Sequence, residues 1–390
     1  MFERKMERKL LGCMDRISHG RITLTLPDGK THVFEGAQPG PDADMTVTDW
    51  RAVVATAARG DIGLTEAYRD GWCDSSDLAA FLAFGLRNEE AVEPFLYGHP
   101  VQALMIRALY MVNANTRRGS RRNIQAHYDL GNAFYQLWLD DTMTYSSALY
   151  APEDAMAADP LVSAQQRKYD RILDGLGAGS GRVLEIGCGW GGFAERALDR
   201  GDFAPKGLTL SHEQAAFART RLGQGAEIAL QDYRDEQGRY DSVVSIEMFE
   251  AVGERYWPTY FGKLREVLSD KGRAMIQTIT VGEPHFDRYR QGGDMIRSFI
   301  FPGGMLPTHT AFGAQANRAG LRVEDAHRFG QDYAETLRVW LTRFESRLSD
   351  VRALGFDESF IRVWRFYLAA CIAAFDVGRT DVYQYRLAHV

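Results

Sequence analysis

The sequence has little cysteine and lacks both long apolar runs and an excess of basic residues. Its four cysteines, Cys13, Cys73, Cys188 and Cys371, are widely separated along 390 residues. They form no CxxC pair and no zinc-ligand spacing, so we predict neither a disulfide framework nor a metal site. No apolar stretch approaches the ~18 residues that a membrane-spanning helix requires.

Acidic residues slightly outnumber basic ones. The chain has 46 Lys and Arg against 52 Asp and Glu, a net charge of −6, which argues against nucleic acid as a partner. The charged N-terminal segment lacks the apolar core of a signal peptide, so we expect a cytoplasmic location. What is present, 45% hydrophobic and 25% charged residues, is typical of a globular protein with about two or three domains.

Residues 1–95 are predicted to form a small N-terminal α+β domain, a candidate for lipid docking. The segment Arg21–Gly29 alternates polar and apolar residues and stops at Pro-Asp-Gly, which indicates a strand and a turn. Thr48 is predicted to cap one helix, and Ser76 or Asp77 the next.

Residues 96–122 are predicted to connect the domains. An apolar, helix-compatible stretch precedes a basic cluster of Arg117, Arg118, Arg121 and Arg122. This pair of features fits an anionic bilayer surface, where each cation contributes about 1 kcal/mol. It fits equally a buried linker helix followed by a solvated charge run.

Residues 123–390 alternate strand-like and helical patterns. The strand-like runs lie at 182–187, 204–210, 226–231, 241–248 and 272–280. This alternation predicts an α/β fold with a doubly wound, mainly parallel sheet, like that of class I methyltransferases.

The strongest local signal is VLEIGCGWGG, in which a strand ends at a glycine-rich turn. Gly187 and Gly189 let the backbone approach a ligand closely, and Glu185 precedes them. This GxGxG variant favours S-adenosylmethionine over NAD, with a purely structural turn as the alternative. Thr209 and Gln214 follow the second strand. Asp232 and Tyr233 follow the third, placed to contact an adenine ring or to serve as surface turn residues.

The sequence resembles the cyclopropane-fatty-acid synthase family in a series of ordered motifs. They are HYDLGNAFYQLWLD (127–140), MTYSSALY (143–150), VLEIGCGWGG (183–192), GLTLSHEQ (207–214), DYRD (232–235), SIEMFEAVG (245–253), FIFPGGMLP (299–307) and the tail 366–384. The resemblance covers about residues 120–390, and a weaker match lies at 60–74. It implies an enzyme that uses S-adenosylmethionine to alkylate cis double bonds of phospholipid acyl chains.

The implied product is a cyclopropane fatty acid made at the inner membrane face, where the protein would be peripheral. The alternative is C-methylation of the same chain to a methylene or methyl-branched product, which would call for a separate reductase. A small-molecule methyltransferase and a non-catalytic lipid-binding protein are further functions compatible with this fold. The sequence leaves a homodimer open.

The resemblance also implies site residues. The candidate catalytic residues are Glu250, Tyr333, Gln277, Ile279, Ser147, Glu247 and Cys371. The candidate cofactor-binding residues are Tyr145, Ser146, Gly187, Gly189, Thr209, Leu210, Gln214, Asp232 and Tyr233. For Cys371, a packed helix thiol is the alternative. For Tyr128, Phe134, Tyr135 and Trp138, the alternatives are an acyl-chain tunnel and ordinary core.

The chain departs from the family pattern around the predicted base. The family often has YSCA, His-Thr-Ile and SIGMFEHVG, where this chain has YSSA, QTI and SIEMFEAVG. The resemblance implies a bound bicarbonate as the base, but its histidine is Gln277 here, and an amide carries no positive charge. We therefore hypothesise that Glu247 places its carboxylate where other members hold bicarbonate. The alternative is a Glu247 that points into solvent or toward the cofactor.

Overall fold

The computed structural model describes residues 2–96, 130–177 and 179–390. The helices are α1 (Phe2–Met14), α2 (Arg51–Arg69), α3 (Leu78–Arg87), α4 (Glu89–Leu96), α5 (Asn132–Tyr135), α6 (Pro160–Gly175), α7 (Gly192–Arg200), α8 (His212–Leu222), α9 (Trp257–Val267), α10 (Phe286–Gln291), α11 (His309–Arg318), α12 (Gly330–Ser346), α13 (Leu348–Ala353) and α14 (Glu358–Asp376). The strands are β1 (His19–Thr25), β2 (Thr31–Glu35), β3 (Gln38–Val47), β4 (Cys73–Asp74), β5 (Ser180–Ile186), β6 (Asp202–Thr209), β7 (Glu227–Leu230), β8 (Tyr240–Ile246), β9 (Leu268–Val281), β10 (Leu321–Arg328) and β11 (Thr380–His389).

The described residues form two compact units, and each contains a sheet. The first unit comprises 2–96, 291–300 and 348–379, and the second comprises 130–177, 179–290, 301–347 and 380–390. The sequence-based boundaries differ, because they assign 291–300 and 348–379 to the catalytic domain. An apolar helix pattern shows that a helix is buried but not which sheet it packs against. The predicted linker and its basic cluster lie, except for Leu96, outside the described residues.

The second unit contains a seven-stranded sheet in the order β10-β11-β9-β8-β5-β6-β7. Strands β5 to β9 pair in parallel, and β11 is antiparallel to both of its neighbours. Val183, Leu184 and Ile186 of β5 are buried, as expected for a central strand that is covered on both faces. The predicted mainly parallel α/β fold is confirmed, and the carboxyl ends of the parallel strands meet at one edge.

The first unit is built on a four-stranded sheet in the order β2-β1-β3-β4. The predicted cap of α3 is correct, since the Asp77 carboxylate accepts a hydrogen bond from the backbone N of Ala80. The predicted cap of α2 is wrong. Its N-cap is Trp50, and the Thr48 hydroxyl instead donates to the carbonyl of Gly71. In the described part of the chain, no helix is long and apolar enough to cross a membrane.

Candidate active site

A glycine-rich turn follows β5 at the carboxyl edge of the parallel strands. Gly187, Gly189 and Gly191 have φ angles of 84°, 51° and 86°, values that glycine adopts without steric cost. A Cβ atom at Gly187 would lie only 2.8 Å from the Cγ atom of Met248. The turn then enters α7, so its backbone forms the kind of open cradle that a ligand approaches closely.

The neighbouring strands β6 and β7 end in polar residues beside this turn. The Thr209 hydroxyl donates to Oε1 of Gln214 at 2.8 Å, and both side chains are buried. The Asp232 carboxylate accepts hydrogen bonds from the backbone N and the guanidinium of Arg234. The predicted cofactor residues at this edge are Gly187, Gly189, Thr209, Leu210, Gln214, Asp232 and Tyr233. Their contact with a cofactor stays a prediction.

Glu247 follows β8 directly, and hydrogen-bond donors surround its carboxylate. Its Oε1 accepts from the backbone N of Ser147 at 2.9 Å and from Nε2 of Gln277 at 2.8 Å. Its Oε2 accepts from the hydroxyl of Tyr333 at 2.6 Å. The structure therefore brings together Glu247, Ser147, Gln277 and Tyr333, which the sequence analysis selects as catalytic candidates. The hydroxyl of Ser147 does not take part, because it donates to the carbonyl of Ala148.

The backbone of Glu247 lies in the left-handed region, with a φ of 49°. This conformation costs an L-residue about 1–2 kcal/mol. Hydrogen bonds to a charged group contribute about 1.5–3 kcal/mol each and offset that cost. The side chain is thus held in place against backbone strain, which is common for residues at functional sites.

Glu250 lies close to Glu247 in a less polar environment. Its Oε1 accepts from the hydroxyl of Thr278 at 2.9 Å and from the backbone N of Ile279. Its Oε2 is buried and has no hydrogen-bond partner among the described residues. An oxygen without a donor favours the protonated carboxyl, because a buried charge without partners is costly.

Glu247 and Glu250 differ in the interactions that lower their pKa against the effect of burial. Burial, followed by repulsion from Glu247, raises the pKa of Glu250 to about 8. Burial also raises the pKa of Glu247, while its hydrogen bonds and the charge of Lys168 lower it. The pKa of both carboxyls is raised, but only Glu247 has donors on both oxygens, so Glu247 is the better candidate for the ionised base.

Gln277 is oriented from the far side by β11. It pairs with Gln384 across the strands, and its Oε1 accepts from Nε2 of Gln384 at 3.0 Å. Its own Nε2 therefore faces Glu247, and both glutamines are fully buried. The amide acts as a neutral donor at the position where the family pattern has histidine.

Sequence reasoning missed Lys168, a fully buried lysine on α6. Its Nζ donates to the hydroxyl of Ser146 at 2.7 Å and lies 4.3 Å from the ring centroid of Tyr169. A signal was available in the sequence, because the buried positions of α6 recur at helical spacing. They are Leu161, Ala164, Gln165, Lys168, Tyr169, Ile172 and Leu173. A lysine on an otherwise mostly apolar helix face indicates a buried charge with partners.

An aromatic cluster surrounds Tyr145. Its ring centroid lies 5.6 Å from Tyr135, 5.5 Å from Trp138 and 5.3 Å from Trp340. The ring of Tyr333 in turn stands edge-on to Trp340 at 6.1 Å. Such rings attract a nearby cation through their faces.

The predicted acyl tunnel is only partly addressed by the structure. Phe134, Tyr135 and Trp138 are fully buried and pack against one another, while Tyr128 lies outside the described residues. Contact with an acyl chain stays a prediction. Cys371 lies on α14 in the first unit, where this helix packs against α2 and α3. It is therefore not in the same unit as Glu247.

Known proteins match the chain over most of its length. A sequence model described as mycolic acid cyclopropane synthetase matches residues 115–385. The chain is 36% identical over 348 residues to cyclopropane-fatty-acyl-phospholipid synthase of Escherichia coli strain K12, covering 88% of this chain and 87% of that protein. The chain belongs to the mycolic acid cyclopropane synthetase family.

Other members of the mycolic acid cyclopropane synthetase family differ in reaction. The tuberculostearic acid methyltransferase UfaA1 of Mycobacterium tuberculosis is 44% identical over 283 residues, covering 70% of this chain and 66% of that protein. The solved structure of mycolic acid cyclopropane synthase CmaA1 with SAH and CTAB matches with a TM-score of 0.63. It is 31% identical and covers 68% of this chain and 97% of that one.

Membership in the mycolic acid cyclopropane synthetase family confirms the predicted enzyme class, a methyl-transferring enzyme with S-adenosylmethionine as cofactor. The residues present fit that group. The glycine-rich turn after β5 enters α7 at once, with Gly187 and Gly189 in conformations that keep the backbone free of side chains there. The end of β6 beside it offers the buried polar pair Thr209 and Gln214. The predicted cofactor residues Tyr145 and Ser146 lie in the segment just before Ser147, whose backbone N binds Glu247.

Proposed function

We propose that the protein methylates the cis double bond of an unsaturated phospholipid acyl chain and yields a methylene-branched chain. The observation that carries this proposal is the Glu247 carboxylate, which accepts from Ser147, Gln277 and Tyr333. Gln277 and Tyr333 correspond to positions that the family resemblance assigns to the bicarbonate site. A bicarbonate ion does not fit beside a carboxylate that already uses the same donors, so Glu247 serves as the base.

The reaction requires one base whatever the product. S-adenosylmethionine supplies the methyl group when bound. The methylated acyl chain is then a carbocation, and a proton must leave the new methyl carbon to give a neutral product. Glu247 accepts that proton, because it is the carboxylate that its hydrogen bonds hold in the ionised form.

The timing of proton loss decides the product. Immediate proton loss closes a cyclopropane ring. A prior hydride shift to the neighbouring cationic carbon gives a tertiary cation, whose proton loss yields an exo-methylene group. Three hydrogen bonds weaken the Glu247 base, and its attachment to the backbone limits its approach. Slower proton removal favours the hydride shift, and the 44% identity to UfaA1, named a methyltransferase, supports this route.

Cyclopropane formation is the second candidate. It is supported by the 36% identity to the Escherichia coli synthase across 88% of this chain. Both products contain one added CH₂ and have the same composition. In the cyclopropane this carbon is bonded to two chain carbons, and in the exo-methylene product it is doubly bonded to one. The base site therefore has the same task in both routes.

The aromatic cluster stabilises the cation during the hydride shift. The rings of Tyr145 and Tyr333 both contact Trp340, and the Tyr333 hydroxyl joins this cluster to the Glu247 carboxylate. Each ring face contributes about 0.5–2 kcal/mol toward a desolvated cation. Water must be excluded for the cation to survive, and the buried rings of Tyr135 and Trp138 help to exclude it.

The proposed acceptor is an unsaturated phospholipid at a membrane surface. Relatives named for fatty-acyl-phospholipid and tuberculostearic acid chemistry support a lipid acceptor. Docking of the N-terminal domain and of the basic cluster at 117–122 on the lipid surface is part of this proposal. So is a peripheral cytoplasmic location.

Mass spectrometry of labelled lipid tests the proposal directly. Vesicles of unsaturated phospholipid are incubated with the protein and methyl-deuterated S-adenosylmethionine. We expect acyl chains that gain CD₂ and that ozone cleaves at a new carbon–carbon double bond, as an exo-methylene requires.

Glu247→Gln is the matched control for this measurement, because it keeps the side-chain volume but cannot accept a proton. Chains that gain CD₂ but resist ozone would establish the cyclopropane instead. Labelled water-soluble acceptors with unlabelled lipid would overturn the lipid proposal.

A further inference from the structure

The buried ammonium of Lys168 is not explained by cofactor binding or by packing alone. Three acidic side chains, Glu247, Asp140 and Glu185, act on it electrostatically. Arg221 acts in turn on Asp140 and Tyr169. Burying one ammonium among carboxyls is costly unless a specific partner shares the charge. The ammonium form of Lys168 therefore requires a negative charge on one of the three carboxyls.

Hydrogen bonds distinguish the three carboxyls. Asp140 accepts from the backbone N and the hydroxyl of Thr142 through Oδ2 only, and its buried Oδ1 has no partner among the described residues. The buried Oε2 of Glu185 has none there either. Both oxygens of Glu247 accept hydrogen bonds. Since donors stabilise the ionised form, Glu247 is the carboxyl whose surroundings best support a negative charge.

Lys168 is hydrogen-bonded to two segments that hold Glu247, one through its side chain and one through its backbone. Its Nζ donates to Ser146 at 2.7 Å, and the next residue, Ser147, donates its backbone N to Glu247. The backbone carbonyl of Lys168 accepts a hydrogen bond from Nε2 of Gln384 at 3.4 Å, and Gln384 also orients Gln277. Lys168 therefore contacts both the loop and the strand pair that position the base.

We propose that Lys168 is a positioning residue whose ammonium keeps Glu247 ionised and thereby selects Glu247, rather than Glu250, as the proton acceptor. This inference rests on the proposed function. Glu250 lacks such a partner, and its Oε2 is without a donor in the described structure. Burial lowers the pKa of Lys168 to about 7, and Glu247 is the first of the groups that act in the opposite direction.

The first test measures the pH–rate profile of Lys168→Met with the charge-retaining Lys168→Arg as its control. Without the ammonium the pKa of Glu247 rises, so its base form appears only at higher pH. We expect the acidic limb to move up by at least about one pH unit, an approximately tenfold loss at pH 7 that alkaline pH restores. Lys168→Arg should retain the wild-type limb. A structural role alone would lower the melting temperature and leave the limb in place.

The second test reads protonation without activity. Infrared difference spectra report protonated carboxyls at pH 7. We expect one such band to disappear in Glu250→Gln and none in Glu247→Gln. Lys168→Met should gain a band that the double variant with Glu247→Gln lacks. The comparison of Glu250→Gln with Glu247→Gln needs no Lys168 variant, so it holds even if Lys168→Met does not fold.

The outcomes separate this inference from the proposed function. An unshifted limb, or a band lost in Glu247→Gln, would overturn the role of Lys168 while methylation stands. A new band that persists in the double variant would assign Lys168 to Glu185 or Asp140 and would also overturn it. If wild-type protein labels no lipid, the proposed function fails, and the infrared bands still decide the pairing.

Discussion

Glu247 combines a strained backbone with a satisfied carboxylate, and Glu247→Gly separates the two. Glycine relieves the φ of 49° and exposes the donors of Ser147, Gln277 and Tyr333 to a space the size of a small anion. We expect activity to fall about 100-fold without bicarbonate, the lower range for loss of a general base. Added bicarbonate should restore part of it, while wild-type protein should not respond. Initial rates in degassed and bicarbonate buffers measure both effects.

Glu247→Gln is the matched control at this residue. It keeps the side-chain volume and the backbone strain but cannot accept a proton, so it should be inactive in both buffers. Strong bicarbonate dependence of the wild-type enzyme would show that the carboxylate does not replace the anion. An active Glu247→Gln would show that Glu247 is not the base.

At the scale of elements, the turn between β5 and α7 requires a glycine at position 187, where there is no space for a Cβ atom. A Cβ atom in Gly187→Ala would press on Met248 at 2.8 Å and require a φ of 84°. We expect the affinity for S-adenosylmethionine to fall at least about tenfold, or ~1.4 kcal/mol, as measured by calorimetry.

Gly262→Ala on α9 is the control for this substitution. Nothing lies within 4 Å of a Cβ atom at Gly262, which is exposed on the helix. Alanine should stabilise α9 by up to about 1 kcal/mol without changing cofactor affinity. Unchanged affinity in Gly187→Ala would mean that the turn is only structural.

The sequence predicts the parallel strands well because their signal is local. The run 182–187 became β5 at Ser180–Ile186, and the run 272–280 lies inside β9 at Leu268–Val281. The antiparallel pair β10 and β11 was not predicted, because its residues alternate less regularly in burial. The cap of α2 failed because Thr48 binds a carbonyl that is distant in sequence.

The sequence predicts the part of the candidate site that lies in family motifs. It does not predict the buried residues that support this part. Glu247, Gln277 and Tyr333 could be selected from the family resemblance, and the structure brings them together. The departure of this chain from the family pattern led to the hypothesis that the Glu247 carboxylate stands in the place of bicarbonate, and in the structure the carboxylate accepts from Gln277 and Tyr333. Lys168 and Gln384 belong to no glycine turn or acidic motif, and the helical spacing around Lys168 was the signal that the sequence offered for it.

At the scale of the whole molecule, the first unit recruits a distant part of the chain. Helix α14 belongs to the first unit with α2 and α3, although the second unit both precedes and follows it in sequence. Its buried side chains include Ile361, Trp364, Phe366, Leu368 and Ile372. A cut between the N-terminal residues and the remainder would therefore divide the core of the first unit and would not release two intact domains.

The fragment 123–390 tests this division, because it retains α14 without α2 and α3. Exposure of a large apolar face favours association, so we expect the fragment to elute as aggregates and to bind a hydrophobic dye far more than the whole chain does. Addition of residues 1–95 as a separate peptide should reduce both effects, because it returns the partners of α14. A monomeric fragment with no dye binding would show that α14 is stable without them and that the predicted boundary at 123 marks an independent domain. The decisive comparison is the elution volume of the fragment with and without the added peptide, measured at the same fragment concentration.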